Sequence, residues 1–188
     1  MVRSFNGTPI DSDQLVELCA SSLWSPTAGN SAGVRMHIIA HADLPAYFAV
    51  ATDADWRERS ERFAGLARAG AAVLVTSRPQ DYEARYRDED KAASGLGERG
   101  AWPIPYWHTD AAMATMSLLL LLEEAGVAAT LWGNFRNEDA VRTWAGLEEE
   151  LLFGTLLIGH ADGLDHRSAS LQRPVPSRRE RVSVVSPD

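Results

Sequence analysis

The sequence predicts an α+β domain, and three observations lead to that fold class. Segments typical of strands and helices alternate irregularly, the middle of the chain is rich in loop residues, and the final segment has no partner element of its own. A doubly wound sheet would instead show a regular succession of strands and helices. The chain has 188 residues, of which 45% are hydrophobic, and this suffices for one hydrophobic core. We therefore expect a single domain over residues 1–188.

The first predicted helix begins after Asp11. This residue is an acidic cap, Gln14 follows it in the first turn, and apolar residues recur at helical spacing until Pro26, which marks the end of the helix. Residues 34–40, VRMHIIA, carry the branched side chains and the partial alternation of a strand. A helix, a loop and a strand are therefore expected at the start of the chain.

The next part of the chain predicts two helices, a strand and a polar excursion. Residues 41–51 and 53–70 are typical of helices, and the second helix closes at Gly70. Residues 71–77, AAVLVTS, are continuously apolar and predict a central strand that is buried on both faces. Residues 78–100 turn polar, and we expect a mobile excursion with about one helical turn. Such a segment is either a lid or a solvated insertion, and both interpretations stay open.

A leucine-rich helix dominates the second half of the chain. Thr109 or Asp110 is its expected cap, it is apolar on nearly all faces, and it ends at Gly126. This composition places the helix in the middle of the molecule. Residues 127–135, VAATLWGNF, follow it and are strand-like.

The chain closes with a short helix, a buried strand and a tail. Asn137 is a suitable cap for the helix, and residues 151–159, LLFGTLLIG, predict the strand. Residues 162–188 are polar and are expected to form an extended C-terminal tail.

The acidic composition argues against several function classes. The net charge is −8, whereas nucleic-acid binding draws most of its energy from neutralised phosphates. The longest apolar run, residues 118–122, is much shorter than the roughly 20 residues of a membrane helix, and the amino terminus carries no apolar signal segment. We therefore expect a cytoplasmic protein that contacts neither nucleic acid nor membrane.

The cysteine and histidine content gives no sign of a metal site or a nucleophile. Cys19 is the only cysteine, which excludes an intramolecular disulfide and fits a reducing compartment. It lies among apolar residues of a helix, so a packing role is expected. The histidines show no metal-ligand spacing such as HExxH, and neither GxSxG nor GxGxxG occurs. No metal and no catalytic side chain are expected.

Two loops have a composition that suits a flat cofactor. Residues 25–33, SPTAGNSAG, contain small residues that let the backbone approach a ligand, and Thr27, Asn30 and Ser31 add hydrogen-bonding groups. Residues 131–135, LWGNF, place a large flat residue beside a glycine. Alone, the first segment is also an ordinary turn-rich loop.

A cluster of arginines distinguishes the tail. Guanidinium groups bind phosphate in a bidentate way, so such a cluster suits one bound phosphate. A solvated charged face and a docking site for a protein partner are the alternatives. Only Glu180 opposes the cluster, which consists of Arg173, Arg178, Arg179 and Arg181.

In this order and spacing, these segments resemble the nitroreductase family of flavoenzymes. The resemblance rests on the PTAGN loop, on the leucine-rich helix that runs into GVAATLWGNF, and on the strand-to-GH turn followed by an Arg-Pro tail. It implies a nitroreductase-like fold with an antiparallel-dominated central sheet wrapped by helices. It also implies an interlocked homodimer with one FMN in each of two interface pockets.

The resemblance implies a role for each segment. Arg3 would lie near the pyrimidine edge of the flavin, residues 25–30 would reach the FMN of the partner subunit, and Arg173 would bind the phosphate. Residues 131–132 would lie against the isoalloxazine, with the backbone of residues 133–134 near N5. The implied cofactor-binding residues are Arg3, Ser4, Ser25, Pro26, Thr27, Asn30, Leu131, Trp132, Gly133, Asn134 and Arg173.

Three aromatic residues are the predicted substrate-binding residues. Trp102, Tyr106 and Trp107 occur in WPIPYWH, just before the leucine-rich helix. Aromatic rings stack on planar acceptors, which favours a place in the pocket beside the flavin. Packing at the dimer interface is an equally good interpretation.

The sequence departs from the family pattern at two places. Members usually carry an Arg and a Ser ahead of the position matched by Arg3, and these residues contact the phosphate. Here either the natural start lies upstream, or Arg167, Arg178 or Arg179 compensates. The usual Gln-Pro-Trp is replaced by residues 32–34, AGV, which alters the expected pocket wall.

The implied activity is ping-pong oxidoreduction through FMN. NAD(P)H would deliver hydride to flavin N5, and a small planar acceptor such as a nitroaromatic or a quinone would then take the electrons. Arg3 would stabilise the negative charge of the reduced ring. Two alternatives remain open: a flavin-dependent dehydrogenase of a biosynthetic intermediate, and a flavin-binding protein without turnover.

Overall fold

A four-stranded antiparallel sheet forms the centre of the protein. The structure, a computed structural model, describes residues 1–165 and 169–185. Its strands are β1 (Val34–Ala40), β2 (Ala71–Ser77), β3 (Ala128–Trp132) and β4 (Leu151–Gly159). They lie in the order β1-β2-β4-β3, and each neighbouring pair is antiparallel. The α+β class and the antiparallel-dominated sheet are therefore confirmed.

The central strand is β2, which is buried along its whole length. It pairs with β1 on one side, where Val34 lies opposite Ser77, and with β4 on the other, with a register shift between Val75 and Thr76. Such a continuously apolar strand is typical of one that is covered on both faces. The prediction for residues 71–77 is confirmed, as are the other three strands.

Helices cover both faces of the sheet. Successive side chains of a strand point to opposite faces, so the alternate residues of β2 and β4 divide between two cores. One core packs against the first and sixth helices, and the other packs against the second, fourth and seventh. The helices of the described residues are α1 (Ser12–Ser22), α2 (Leu44–Ala51), α3 (Ala54–Arg59), α4 (Phe63–Leu66), α5 (Pro79–Arg85), α6 (Tyr106–Glu124) and α7 (Glu138–Ala145).

The first helix has the predicted start and an earlier end. The carboxylate of Asp11 accepts a hydrogen bond from the backbone N–H of Gln14 at 2.8 Å, which confirms the cap. The helix ends at Ser22 rather than continuing towards Pro26. The hydroxyl of Ser22 donates to the carbonyl of Cys19, and the following residues tighten into turns.

The predicted helix over residues 53–70 is wrong, because the chain forms two short helices there, α3 and α4, separated by an extended residue, Ser60. In a continuous helix Trp56 and Phe63 would be about 10 Å apart along the axis. The break brings their ring centroids to 5.7 Å. Tertiary packing of these aromatic rings therefore overrides the local helical pattern.

The polar excursion contains more structure than the sequence predicted. Residues 79–85 form the seven-residue helix α5 instead of a single turn, and two 3₁₀ segments follow. Tyr82 is fully buried, which anchors the helix to the body of the protein. Arg85 pairs with Asp88 and Asp90 on the outer side. The mobility of residues 78–100 stays a prediction.

The leucine-rich helix α6 begins earlier than expected. It starts at Tyr106, and neither Thr109 nor Asp110 caps it. Thr109 donates back to the carbonyl of Tyr106, and Asp110 turns inward to partners described below. The capping prediction is therefore wrong because the acidic side chain is used in a tertiary contact.

The remaining predictions concern α7, the tail and membrane-spanning segments. Asn137 occupies the N-cap position of α7 as predicted, but its side chain makes no capping hydrogen bond; its Nδ2 donates to the carbonyl of Val50 at 3.0 Å. The described part of the tail beyond residue 170 is exposed throughout. Within the described residues, no helix combines the length and apolarity that crossing a membrane requires.

Candidate cofactor site

The loop of residues 25–33 lies between α1 and β1 and rests on α6. The hydroxyl of Ser25 is 2.8 Å from that of Ser117, and the N–H of Ala28 donates to the carboxylate of Asp110 at 2.8 Å. Inside the loop, the N–H of Ala32 donates to the hydroxyl of Thr27. Asn30 and Pro26 are exposed. The loop therefore presents its tip to solvent while its base is fixed to the long helix.

An apolar stripe lies beside this loop. Met113, Met116 and Leu120 follow one face of α6 at helical spacing, and all are exposed, Leu120 at 60%. Trp24, 90% exposed, precedes the Ser25 that contacts α6. We call Trp24 and these three α6 residues the α6 stripe. In one copy of the chain, the helix predicted to lie in the middle of the molecule is thus uncovered on one face.

The LWGNF segment begins at the end of β3. Leu131 and Trp132 point to opposite faces of the sheet because they are neighbours in a strand. Trp132 packs in the core with α2, where its ring stacks on Trp56 at 6.0 Å between centroids. Leu131 faces the α6 side and is partly exposed. Leu131 therefore offers its surface on the α6 side of the sheet, whereas the partly buried Trp132 lies on the other side.

A closed ring of hydrogen bonds fixes Asn134. The hydroxyl of Tyr47 donates to Thr155 Oγ1 at 2.9 Å, Thr155 donates to Asn134 Oδ1 at 2.7 Å, and Asn134 Nδ2 donates to the Tyr47 oxygen at 3.0 Å. All three side chains are buried. Burial raises the pKa of Tyr47 above its usual range, so the phenol keeps its proton. The ring thereby holds the backbone of residues 133–134 in one position.

A small cleft opens beside this segment. Its volume is about 230 Å³, and Trp56, Trp132 and Asn134 are among its lining residues. Phe135 is 97% exposed, and its ring lies so close to Gly133 that a Cβ there would meet it at 2.3 Å. A side chain at position 133 would therefore require the exposed Phe135 ring to move.

Arg3 and Ser4 line a second, larger cavity of about 620 Å³. Arg62 and Arg68 share it, together with Glu61 among other residues, so the charges of this cavity are mixed. Ser4 donates to Asp162 at 2.7 Å, and Arg68 pairs with the same carboxylate. The N–H of Leu164, then Ser4 and Arg68, hold the pKa of Asp162 below its usual range. Sequence patterns gave no signal for Arg62 and Arg68.

The predicted phosphate-binding arginines of the tail are exposed where the structure describes them. Arg173 is exposed after a short 3₁₀ segment, and Arg178 and Arg179 are exposed as well. Arg167 falls outside the described residues. In one chain, the predicted cofactor residues belong to four features of the fold: the loop on α6, the end of β3, the cavity at Arg3, and the tail.

The predicted substrate residues form part of an aromatic cluster. Trp102 and Trp107 are buried and pack against Tyr82 and Tyr86, with ring centroids of Tyr86 and Trp102 at 4.6 Å. Tyr106 is 40% exposed. In this arrangement only Tyr106 of the three offers a surface to a ligand.

Cys19 is buried in the core, and burial raises the pKa of its thiol to about 12. A thiol in that state is inert near neutral pH, which agrees with the predicted packing role. Residues 1–165 and 169–185 contain no cluster of three or more histidine, cysteine or acidic side chains suited to a metal ion.

Comparisons with known proteins identify relatives of this fold. The nitroreductase CinD from Lactococcus lactis in complex with nicotinic acid superimposes with a TM-score of 0.74 at 17% identity, covering 99% of this chain and 95% of that chain. CinD is also similar in its complex with 4-nitrophenol. No curated protein sequence matches the chain.

Two further solved structures are similar at 14% identity. An Exiguobacterium sibiricum protein described as a nitroreductase in complex with FMN has a TM-score of 0.70 and covers 98% of this chain and 92% of its own. A Staphylococcus epidermidis protein described as an NAD(P)H:FMN oxidoreductase has a TM-score of 0.70, with coverages of 98% and 91%. At such identities the likeness concerns the fold.

The sequence profile described as Nitroreductase family matches residues 1–160. This range contains the whole sheet, the loop on α6 and the end of β3. The resemblance inferred from the PTAGN and LWGNF segments is thereby confirmed, and the chain belongs to the nitroreductase family.

Proposed function

We propose that this protein is an FMN-dependent oxidoreductase that transfers electrons from NAD(P)H to a small planar acceptor. Membership of the nitroreductase family carries the proposal. FMN is bound in one similar structure, and another similar protein is described as an NAD(P)H:FMN oxidoreductase. The 4-nitrophenol complex of CinD supports nitroaromatics as the acceptor class to test first. The single cysteine supports a cytoplasmic location.

The charges and surfaces of the chain fit an anionic flat cofactor. Arg3 shares its cavity with Arg62 and Arg68, and guanidinium groups bind phosphate and anionic ring edges. Leu131 offers an apolar surface on the α6 side. When bound, FMN supplies the chemistry that couples oxidation of NAD(P)H to reduction of the acceptor. Arg3 would contribute a fixed positive charge, which favours the anionic form of a bound ring.

The α6 stripe supports a homodimer. Contiguous exposed apolar surface beside polar residues is typical of a protein interface. The stripe lies next to the loop of residues 25–30 through the contact of Ser25 with Ser117. A second copy seated on the stripe would therefore bring this loop to the partner's cofactor.

The absorbance spectrum of the purified protein tests the proposal. We expect the visible bands of an oxidised flavin, bleaching of these bands by NADH or NADPH, and recovery on addition of 4-nitrophenol or a quinone. When initial rates are measured with both substrates varied, the double-reciprocal plots should be the parallel lines of ping-pong kinetics. A colourless protein that takes up no added FMN contradicts the proposal. Bound FMN that neither nicotinamide bleaches favours a binding protein without turnover or a dehydrogenase that uses another donor.

Tyr106→Ala should change acceptor preference more than FMN content. Tyr106 is the exposed member of the aromatic group, and an aromatic contact contributes about 0.5–1.5 kcal/mol, or roughly threefold to tenfold in rate. The measurement is kcat/KM for a nitroaromatic and for a quinone, with FMN per chain determined by absorbance. Tyr106→Phe, which keeps the ring, should retain the original preference. Unchanged turnover across several acceptors would argue against a pocket role.

A further inference from the structure

The loop of residues 25–33 is held in a strained backbone conformation. Asn30 has φ 57° and Ala32 has φ 49°, and Gly29 between Ala28 and Asn30 also has a positive φ, 62°. Residues with a Cβ rarely adopt this left-handed region because the Cβ then crowds the backbone. Such a conformation persists only where surrounding contacts impose it. The contacts at the base of the loop are therefore the ones that determine its shape.

The first of these contacts is made by the buried carboxylate of Asp110. Asp110 is 1% exposed, and its Oδ2 accepts hydrogen bonds from the N–H of Ala28 at 2.8 Å and from the hydroxyl of Tyr82 at 2.9 Å. No arginine or lysine of the described chain lies within ion-pair distance of Asp110. Buried charges normally have such a partner, so hydrogen bonds are its compensation: these two at Oδ2, and a longer one of 3.4 Å from the hydroxyl of Thr109 to Oδ1.

The donors to Asp110 are themselves fixed. Burial first, and then the hydrogen bond to Asp110, raise the pKa of Tyr82, so its phenol remains a donor. The Tyr82 ring packs where a Cβ on Gly33 would meet it at 2.3 Å. Tyr82 thus touches the end of the loop with its ring while its hydroxyl joins Asp110, which bonds the start of the loop.

A second contact comes from the outer side of α5. Arg85 Nε donates to the carbonyl of Gly29 at 2.9 Å, and its guanidinium is oriented by Asp90 at 2.6 Å. The ring of Tyr86 lies so close to Gly29 that a Cβ there would meet it at 2.6 Å. The polar excursion therefore supports the loop through contacts at Gly29, in addition to those from α6.

We propose that Asp110 and Arg85 are positioning residues that clamp residues 27–33 in the conformation needed to bind FMN. This inference rests on the proposed function. Neither residue needs to touch the cofactor. Asp110 acts on the backbone at Ala28 and Arg85 acts on the backbone at Gly29, immediately before the two strained residues, Asn30 and Ala32. Their effect should appear in FMN affinity and in the dynamics of the loop, and not in turnover of the saturated enzyme.

The test compares Asp110→Ala, Asp110→Asn and Arg85→Met with Thr115→Val. Thr115 is a matched control because it is buried on the same helix and its hydroxyl bonds only to the carbonyl of Ala111. For each full-length protein, the FMN Kd is measured by fluorescence titration, kcat is measured at saturating FMN, and amide hydrogen exchange of residues 27–33 is measured without flavin.

We expect Asp110→Ala to raise the FMN Kd about tenfold or more, since tenfold corresponds to about 1.4 kcal/mol, and to accelerate exchange in residues 27–33. Asp110→Asn should stay within about threefold of the unsubstituted protein, because its amide oxygen still accepts both hydrogen bonds. Arg85→Met should also raise the FMN Kd and accelerate exchange in residues 27–33, by smaller factors than Asp110→Ala. The kcat of every saturated variant should remain within about twofold.

Two results would overturn the clamp: unchanged Kd and exchange in Asp110→Ala, or the same changes in Thr115→Val. If Asp110→Ala fails to fold, Arg85→Met tests the clamp instead, because Arg85 lies near the surface. Unchanged exchange and an unchanged FMN Kd in Arg85→Met would then refute the inference. If the unsubstituted chain binds no FMN, the proposed function fails. The exchange measurement on flavin-free protein still decides whether the clamp exists.

Discussion

Leu120→Glu should convert the protein from a dimer to a monomer and abolish FMN retention. Leu120 is the most exposed of the three α6 residues in the α6 stripe, at 60%, and a symmetric interface would bury it twice, once from each subunit. Burying an unpaired carboxylate is costly, so the dimer dissociation constant should rise at least about a thousandfold, or about 4 kcal/mol. Sedimentation velocity at several concentrations and the flavin absorbance of the same sample measure the two effects.

A matched substitution separates interface loss from added charge. Ala140→Glu places the same side chain on an exposed position of α7, outside the α6 stripe, and should leave both dimer and flavin intact. Leu120→Ala adds no charge and should weaken the dimer only modestly. A dimeric Leu120→Glu protein with full FMN content would show that the α6 stripe is not the interface.

Asn134→Leu should destabilise the protein by about 1–3 kcal/mol, because it removes one hydrogen-bond partner from each of two buried hydroxyls, and a buried group left unsatisfied costs about that much. The substitution keeps the approximate volume of the side chain while removing both amide groups. Thr155 loses its acceptor and Tyr47 loses a donor. Urea unfolding measures the loss of stability.

The same substitution should reduce turnover. The backbone of residues 133–134 is fixed by this ring, and small misplacements of a site cost about tenfold to a hundredfold in rate. We therefore expect a decrease in kcat of at least about tenfold for protein that still binds FMN. Thr155→Val should reproduce both effects because it breaks the same ring. An Asn134→Leu protein with native stability would mean that the hydrogen-bond ring makes no net contribution to the free energy of unfolding.

Much of the fold can be predicted from local patterns. The four strands, the cap at Asp11 and the apolar character of α6 all follow from short stretches of sequence. Local periodicity and capping chemistry reflect which face of an element is apolar and where its backbone groups need partners. The family also follows from sequence, because PTAGN and LWGNF are each a short motif of adjacent residues.

Other features depend on residues that are far apart in the chain. Asp110 had the sequence signature of a helix cap, yet its carboxylate bonds Ala28, 82 positions away. Leu131 and Trp132 are adjacent in sequence, but strand geometry places them on opposite faces of the sheet, and Trp132 packs against the core that contains α2. The helix over residues 53–70 is broken because Trp56 and Phe63 meet in that core.

The sequence by itself therefore determined the family, the strands and the apolar faces of the helices. Only the tertiary structure decided which polar groups pair, which aromatic rings are buried, and that α5 supports the loop of residues 25–33. The physical reason is that apolar burial is non-directional and is visible in local periodicity. Hydrogen bonds have strict distances and angles, so their partners are known only once distant segments have been brought together.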